Sequence, residues 1–177
     1  MITLAYKMKK YRDQLKNLIQ ENDTIIELGC HVGKTTQYLL NSNKKIKIIC
    51  LDNSPEAIKP MKKLEESNNN IKFINCDVRL HESIKEVKKI IDKCNLLSVD
   101  LGGGYHPDTT FKVYYIWAST FKPRNTIIRN RGLIDFVNSS TNLEKNIKSK
   151  QGYLETCHDM GIPPQIKEFN LWSEKQQ

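Results

Sequence analysis

Apolar positions along this chain follow two rhythms. Leu4, Met8, Tyr11, Leu15, Leu18 and Ile19 recur at intervals of three and four, which predicts an amphipathic helix running to about Gln20. Asn22 and Asp23 then break the pattern. TIIEL (Thr24–Leu28), IKIICL (Ile46–Leu51), IKFINC (Ile71–Cys76), LLSVDL (Leu96–Leu101) and NTIIR (Asn125–Arg129) are short, largely apolar runs and predict buried strands. Helices are expected between them. One runs from Lys34 to about Asn41, and a second starts at Ser54 and Pro55 with Ala57, Ile58, Met61 and Leu64 facing inward. A third follows a capping box of Ser83 and Glu86, and a fourth runs from Pro107 to about Phe121. Pro60 removes an interior hydrogen bond and is expected to kink or delay its helix.

Nearly all-apolar strands separated by helices imply a parallel sheet covered on both faces. Right-handed crossovers then restrict the topology. The expected fold is therefore α/β, a single doubly wound, mostly parallel sheet in one domain over residues 1–177. Past Gly132 the pattern weakens. Leu143, Ile147, Leu154 and Cys157 suggest a helix stopped near Gly161, and IKEFNLW (Ile166–Trp172) suggests a last strand.

Composition narrows the setting. No apolar run approaches the roughly 18 residues of a membrane span, and the first twenty residues carry Lys7, Lys9, Lys10, Arg12 and Lys16. Neither export nor membrane insertion is expected. The five cysteines are scattered without a C-x-x-C pair, against a zinc cluster or disulfide framework and in favour of a cytoplasmic location. The formal charge of +8 is carried largely by lysines that alternate with acids or apolar residues, as on solvated helix faces. An acidic partner such as nucleic acid is the alternative.

The candidate chemistry starts at ELGCHVGKTT (Glu27–Thr36). A Walker loop needs glycine five places before the G-K pair, and Leu28 stands there. From Gly29, the dinucleotide pattern G-x-G-x-x-G would need glycine at His31 and Lys34. Four acids, Glu27, Asp52, Asp77 and Asp100, close successive strands. They would repel phosphates, and they suit a ligand with hydroxyls, an amine and a cationic centre.

E-L-G-C-H-V-G at Glu27–Gly33, L-D-N-S at Leu51–Ser54, N-C-D-V at Asn75–Val78 and S-V-D-L-G-G-G at Ser98–Gly104 together resemble the motifs of class I S-adenosylmethionine-dependent methyltransferases, over about residues 20–132. The resemblance implies a Rossmann-like methyltransferase fold, with a shortened C-terminal strand set, that binds S-adenosylmethionine. Gly29 and Gly33 would turn the backbone under the methionine part, and Glu27 would organise that turn and help hold the ammonium group. Asp52, with Asn53, would meet the ribose hydroxyls. Asp77 and the backbone of Val78 would receive the adenine edge. His31, where many members carry glycine, would either close over the methionine tail or cap the next helix.

Methyl transfer is an in-line displacement in which alignment is the chief need and a base serves only if the acceptor loses a proton. Asp100 and His106 are the catalytic candidates. Gly102–Gly104 would admit a substrate or simply form a turn. FKPRNTIIRN resembles the strand region of small-molecule O-methyltransferases, but Arg129 and Asn130 replace the Asp-Asn pair of metal-dependent members, so no metal is expected. Between Thr109 and Ile134 there is no acid, and Lys112, Lys122, Arg124, Arg129 and Arg131 lie among Phe111, Tyr114, Tyr115, Trp117 and Phe121. Such a mixture suits phosphates and stacked bases, while the aromatic spacing equally suits a helix core. Arg129 and Arg131 are candidates for an anionic acceptor, either a small molecule or RNA. A binding module without turnover and a nucleic-acid-binding protein on the same fold are the alternative readings, and a homodimer is compatible with an incomplete sheet edge.

Overall fold

A computed structural model describes residues 1–104 and 106–155. Six strands form one sheet: β1 (Ile2–Ala5), β2 (Thr24–Leu28), β3 (Lys47–Asp52), β4 (Ile71–Asn75), β5 (Leu96–Gly103) and β6 (Asn125–Asn130). Their spatial order is β1-β6-β5-β2-β3-β4, and every neighbouring pair is parallel. The chain winds outward from β2 to β4, returns to β5 and winds the other way. The β2/β5 boundary is thus a topological switch point, where open parallel sheets form a crevice.

Two apolar layers cover the sheet. On one face α1 (Met8–Leu18), α2 (Lys34–Leu40) and α3 (Pro55–Glu66) bring Tyr11, Leu15, Leu39 and Met61 onto Ile25, Ile48 and Ile127. On the other, α4 (His81–Lys88) and α5 (Pro107–Phe121) bring Ile84, Val113, Trp117 and Phe121 onto Ile26, Ile49, Leu97 and Ile128. Successive strand residues such as Ile25 and Ile26 therefore feed opposite cores, which is why both had to be apolar. After β6 comes α6 (Arg131–Ser139), none of whose residues is buried.

Four local expectations are corrected. Leu4 belongs to β1, not to the first helix, which begins at Met8. Ile2 and Leu4 pack on one core and Ala5 on the other, a strand alternation too short to separate from a helical step by spacing alone. Ser83 is not a cap, because α4 starts at His81 and the Ser83 hydroxyl donates to the Asp77 carbonyl at 2.5 Å. Pro60 does not delay α3, which starts at Pro55 and runs to Glu66. No helix covers residues 140–154, where Leu143 and Ile147 are 87% and 68% exposed and have no core to join. The strand expected at Ile166–Trp172 and Cys157 lie outside the described residues.

Among the described glycines, the tightest approach joins the switch-point strands. A Cβ on Gly29 (φ +82°) would sit 2.0 Å from the Asp100 carbonyl oxygen, whereas one on Gly102 (φ +85°) would meet nothing within 4 Å. Gly29→Ala should lose more than about 3 kcal/mol of unfolding free energy in urea, against about 1 kcal/mol for Gly102→Ala. Equal losses would show that the contact is not what demands glycine at Gly29.

Candidate active site

The carboxyl ends of β2, β3, β5 and β6, with the turn after β4, enclose a cavity of about 960 Å³. Gly29, His31, Asp52, Asn53, Asp77, Val78, Asp100, His106 and Arg129 all line it. Residues from motifs spread over a hundred positions are brought together. Glu27, Gly33 and Arg131 are not on its wall.

The turn after β2 is held from two sides. Gly29 and Cys30 donate their N–H groups to the Leu51 carbonyl at 2.9 and 3.2 Å. The His31 N–H donates to Asp52 Oδ2 at 2.7 Å, which stabilises a non-glycine residue at φ +47°. The His31 side chain does not cap α2; it is exposed, with Nε2 3.3 Å from Glu56 Oε1, and Gly33 occupies the cap position. Gly33 stands at φ +77°, and a Cβ there would lie 2.6 Å from Met61 Sδ, so backbone conformation and packing both favour glycine. Asp52 Oδ1 also accepts from the Ser54 N–H at 2.8 Å and the Ser54 hydroxyl at 2.5 Å. An ionised carboxylate accepts about four hydrogen bonds, so this one keeps room for about one more rather than a pair.

Glu27 lies beneath the cavity and does not reach it. Its register neighbours are Cys50 on β3 and Ser98 on β5, so the three side chains form a polar row on the α1 and α2 face. Thr36 donates its hydroxyl to Glu27 Oε2 at 2.7 Å, Cys50 Sγ donates at 3.7 Å, and Ser98 shares a 2.6 Å hydrogen bond with the Tyr11 hydroxyl. Burial pushes the Glu27 carboxyl up to about 7, against the pull of the Thr36 and Cys50 donors. Its place is to anchor α2 to the sheet under the turn, and direct contact with a ligand's ammonium group is not what this position provides.

Two further acids are held by arginines. Arg79 forks onto Asp77, with Nε to Oδ1 at 3.0 Å and Nη2 to Oδ2 at 2.8 Å. The neighbouring Val78 carbonyl is fixed from below by the Trp117 indole N–H at 2.8 Å. Arg129 Nη1 lies 3.0 Å from Asp100 Oδ1, its Nε donates to the Tyr6 carbonyl at 2.9 Å, and its guanidinium sits 5.7 Å from the Tyr6 ring centre. A Cβ on Gly103 would fall 2.2 Å from Arg129 Nη1, so this glycine of the run admits an arginine of the protein itself, not a substrate. Burial raises the Asp100 pKa while Arg129 opposes the rise. His106 is exposed on the cavity rim at φ +52°, the residue before α5.

The basic aromatic segment is dispersed by the fold. Tyr114, Trp117 and Phe121 are core residues. α5 runs away from the cavity, so Lys122 and Arg124 emerge at the opposite end of the sheet, where Arg124 Nη2 pairs with Asp23 at 2.7 Å and Lys122 lies 5.0 Å from the Tyr153 ring centre. Arg131 is exposed at the start of α6. Among the described residues, only Phe111 of this segment is an exposed large aromatic, tilted against Tyr114 and Tyr115. Among the described residues no group of three or more His, Cys, Asp or Glu could hold a metal, and no helix is long and apolar enough to cross a membrane.

Sequence reasoning missed Arg12, Arg79 and Thr35 on the cavity wall. Arg12 comes from α1, with Nε 3.0 Å from Thr35 Oγ1. Only its interval of four from Met8, which also lines the cavity, could have placed it on that side of the helix.

Because the Glu27 pKa is raised on folding, the stability it contributes is full below its ordinary value near 4.5 and is lost as pH rises to about 7. Glu27→Gln removes that loss. The unfolding free energy of the variant minus that of the parent should grow by roughly 3 kcal/mol between about pH 4 and about pH 8. Parallel pH curves in denaturant titrations would contradict a buried, high-pKa carboxyl.

With the geometry in hand, comparison with known proteins is informative. A family profile described as a methyltransferase domain matches residues 19–177. No curated protein matches the chain. A putative rRNA methylase from Clostridium thermocellum is similar in fold, with 18% identity, a TM-score of 0.55 and coverage of 79% of this chain and 83% of that one. An rRNA methylase from Streptococcus thermophilus is similar at 12% identity, TM-score 0.51, over 75% and 78% of the two chains. A fibrillarin from Aeropyrum pernix with natively bound S-adenosyl-L-methionine shares 22% identity at a TM-score of 0.42, over 55% of this chain and 43% of its own. Six parallel strands, a crevice at their switch point and a match along nearly the whole sequence lead to one conclusion: the chain belongs to the methyltransferase-domain family and is an S-adenosylmethionine-dependent enzyme of the class I fold.

Proposed function

We propose that S-adenosylmethionine lies along the strand ends, with adenine at β4, ribose at β3 and methionine at β2, and that the methyl group is passed toward β5 to a protic oxygen or nitrogen of an anionic acceptor. The observation that carries this reading is the single cavity lined in strand order by Asp77 and Val78, Asp52 and Asn53, Gly29 and His31, and Asp100 with His106. Neighbouring strands are about 4.8 Å apart, so β4 to β5 spans about 14 Å, enough for an extended nucleoside amino acid. The donor set fits this cofactor. Acids at the strand ends accept from hydroxyls and amines and favour a cation, and Asp52 retains an acceptor position for a ribose hydroxyl.

When bound, the cofactor supplies a methyl group on a cationic sulfur, and the protein's part is alignment and proton removal. Asp100 is the best-placed base, because burial raises its proton affinity and Arg129 fixes its orientation. His106 on the rim takes the proton onward to solvent. Arg129, although paired with Asp100, still presents positive charge on the same wall toward an acceptor anion. RNA is the second reading, supported by the names of the two rRNA methylases of similar fold.

Radiolabelled methyl transfer should be measured over separate panels of RNA and of small organic acids. A label that enters only neutral or cationic small molecules would defeat the anionic acceptor. With the acceptor so found, Asp100→Asn should lower kcat by about 100-fold or more while the Kd for S-adenosylmethionine changes by less than about 3-fold.

The acid limb of the pH profile should lie above the ordinary value of an aspartate. Arg129→Met should move it higher still, since Arg129 holds the Asp100 pKa down. An unmoved limb would remove Asp100 from the role of base.

A further inference from the structure

We infer that Arg12 of α1 holds the carboxylate of the cofactor's methionine end, and that the helix preceding the first motif is thereby a part of the cofactor site. The inference rests on the cofactor placement proposed above and assigns a contact that none of the strand-end motifs supplies.

A zwitterionic amino acid end needs a cation for its carboxylate as well as acceptors for its ammonium. Among the described residues, four lysines and arginines line the cavity: Arg12, Lys34, Arg79 and Arg129. Arg79 is committed to Asp77, and Arg129 to Asp100. Arg12 has no ion pair among the described residues. It is nevertheless held in place, because Nε donates to the Thr35 hydroxyl at 3.0 Å and Thr35 is buried. A guanidinium has five N–H donors in a rigid fork; one is spent on its own orientation, and the Nη1 and Nη2 edge remains for a planar carboxylate. Fork-to-carboxylate pairs are among the strong charge-assisted hydrogen bonds.

Position favours the cofactor over the acceptor as owner of that carboxylate. Thr35 lies on α2, directly after the Gly29–Gly33 turn, so the tether draws Arg12 toward the β2 end, where the methionine part lies. Acceptor chemistry is proposed for the β5 and β6 ends, with Asp100, His106 and Arg129; the Arg12 charge reaches Asp100 and lowers its pKa, but its hydrogen bond fixes it on the Thr35 side. Lys34, next to Thr35 and on the same wall, adds a second positive charge.

The test is calorimetric and needs no acceptor. Titrate the parent protein, Arg12→Met and Arg12→Lys with S-adenosylmethionine and with decarboxylated S-adenosylmethionine, which keeps the sulfonium and the amine but lacks the carboxylate. Arg12→Met should weaken S-adenosylmethionine by about 10- to 100-fold and change the decarboxylated compound by less than about 3-fold. Arg12→Lys should fall between, as a point charge without the fork, and it reads the effect even if the methionine variant does not fold. Thr35→Val should cost S-adenosylmethionine a few-fold and the decarboxylated compound nothing. Equal losses for both compounds, or none for either, would overturn the assignment to Arg12 while leaving the cofactor site standing. A parent protein that binds neither compound at about millimolar concentration would overturn the cofactor placement itself.

Discussion

A parallel sheet delivers the carboxyl ends of all its strands to one edge, and the site of this protein depends on that polarity. Each strand is about 4.8 Å from the next, so residues that follow the last apolar position of each strand become neighbours whatever their distance in sequence. Reversal of winding between β2 and β5 leaves their ends uncrossed by a connecting helix, and the crevice opens there. There the Gly29 backbone lies so close to the Asp100 carbonyl that a Cβ would fall 2.0 Å from its oxygen. That contact sets the separation of the Gly29 turn from the Asp100 strand end.

The acids gathered at this edge are alike in sequence and differ in what the protein does with them. Glu27 is buried and holds its proton to about pH 7 within a row of Cys50, Ser98 and Thr36. Asp52 spends three acceptor positions on the His31 and Ser54 turn. Asp77 and Asp100 are each paired with an arginine from the next turn or strand. An unpaired cluster of four carboxylates would be self-repelling; pairing and burial remove most of the repulsion. The arginines serve the scaffold first, which is why the charge count alone said little about the partner.

Separation of the basic segment follows from the same polarity. α5 and β6 run in opposite directions, so a stretch that is continuous in sequence is folded back over the height of the sheet, and its cations are shared between the two ends. Aromatic residues at helical intervals in α5 go to the core, where Trp117 uses its indole N–H to fix the Val78 carbonyl at the cavity rim. A stripe that suggested stacked bases is, for the most part, core packing that supports the Val78 end of the cavity.

Local physics was readable without coordinates wherever one segment decides its own state. Long apolar runs of Ile and Leu had to be covered on both faces, so β2 to β6 and the parallel sheet were legible, and the residue closing each run was bound to stand at the sheet edge. This placed Gly29, Asp52, Asp77 and Asp100 in one cavity before their distances were known. Short or shared features were not legible. Leu4 fitted a helical step as well as a strand alternation, and only pairing of β1 with β6, more than a hundred residues away, chose between them. Gly33 and Gly103 stand at positive φ, where a side chain is strained, and Met61 and Arg129 crowd the space beside them; the partners of Asp77 and Asp100 are set by side chains that meet only after collapse. Arg12 lies on a helix with no motif of its own, and Thr35 reaches it across the α1 and α2 contact. Periodicity and strand-end position are local properties and survive in one dimension, whereas which charge meets which, and which stays available for a ligand, is a property of distances that exist only in the folded molecule.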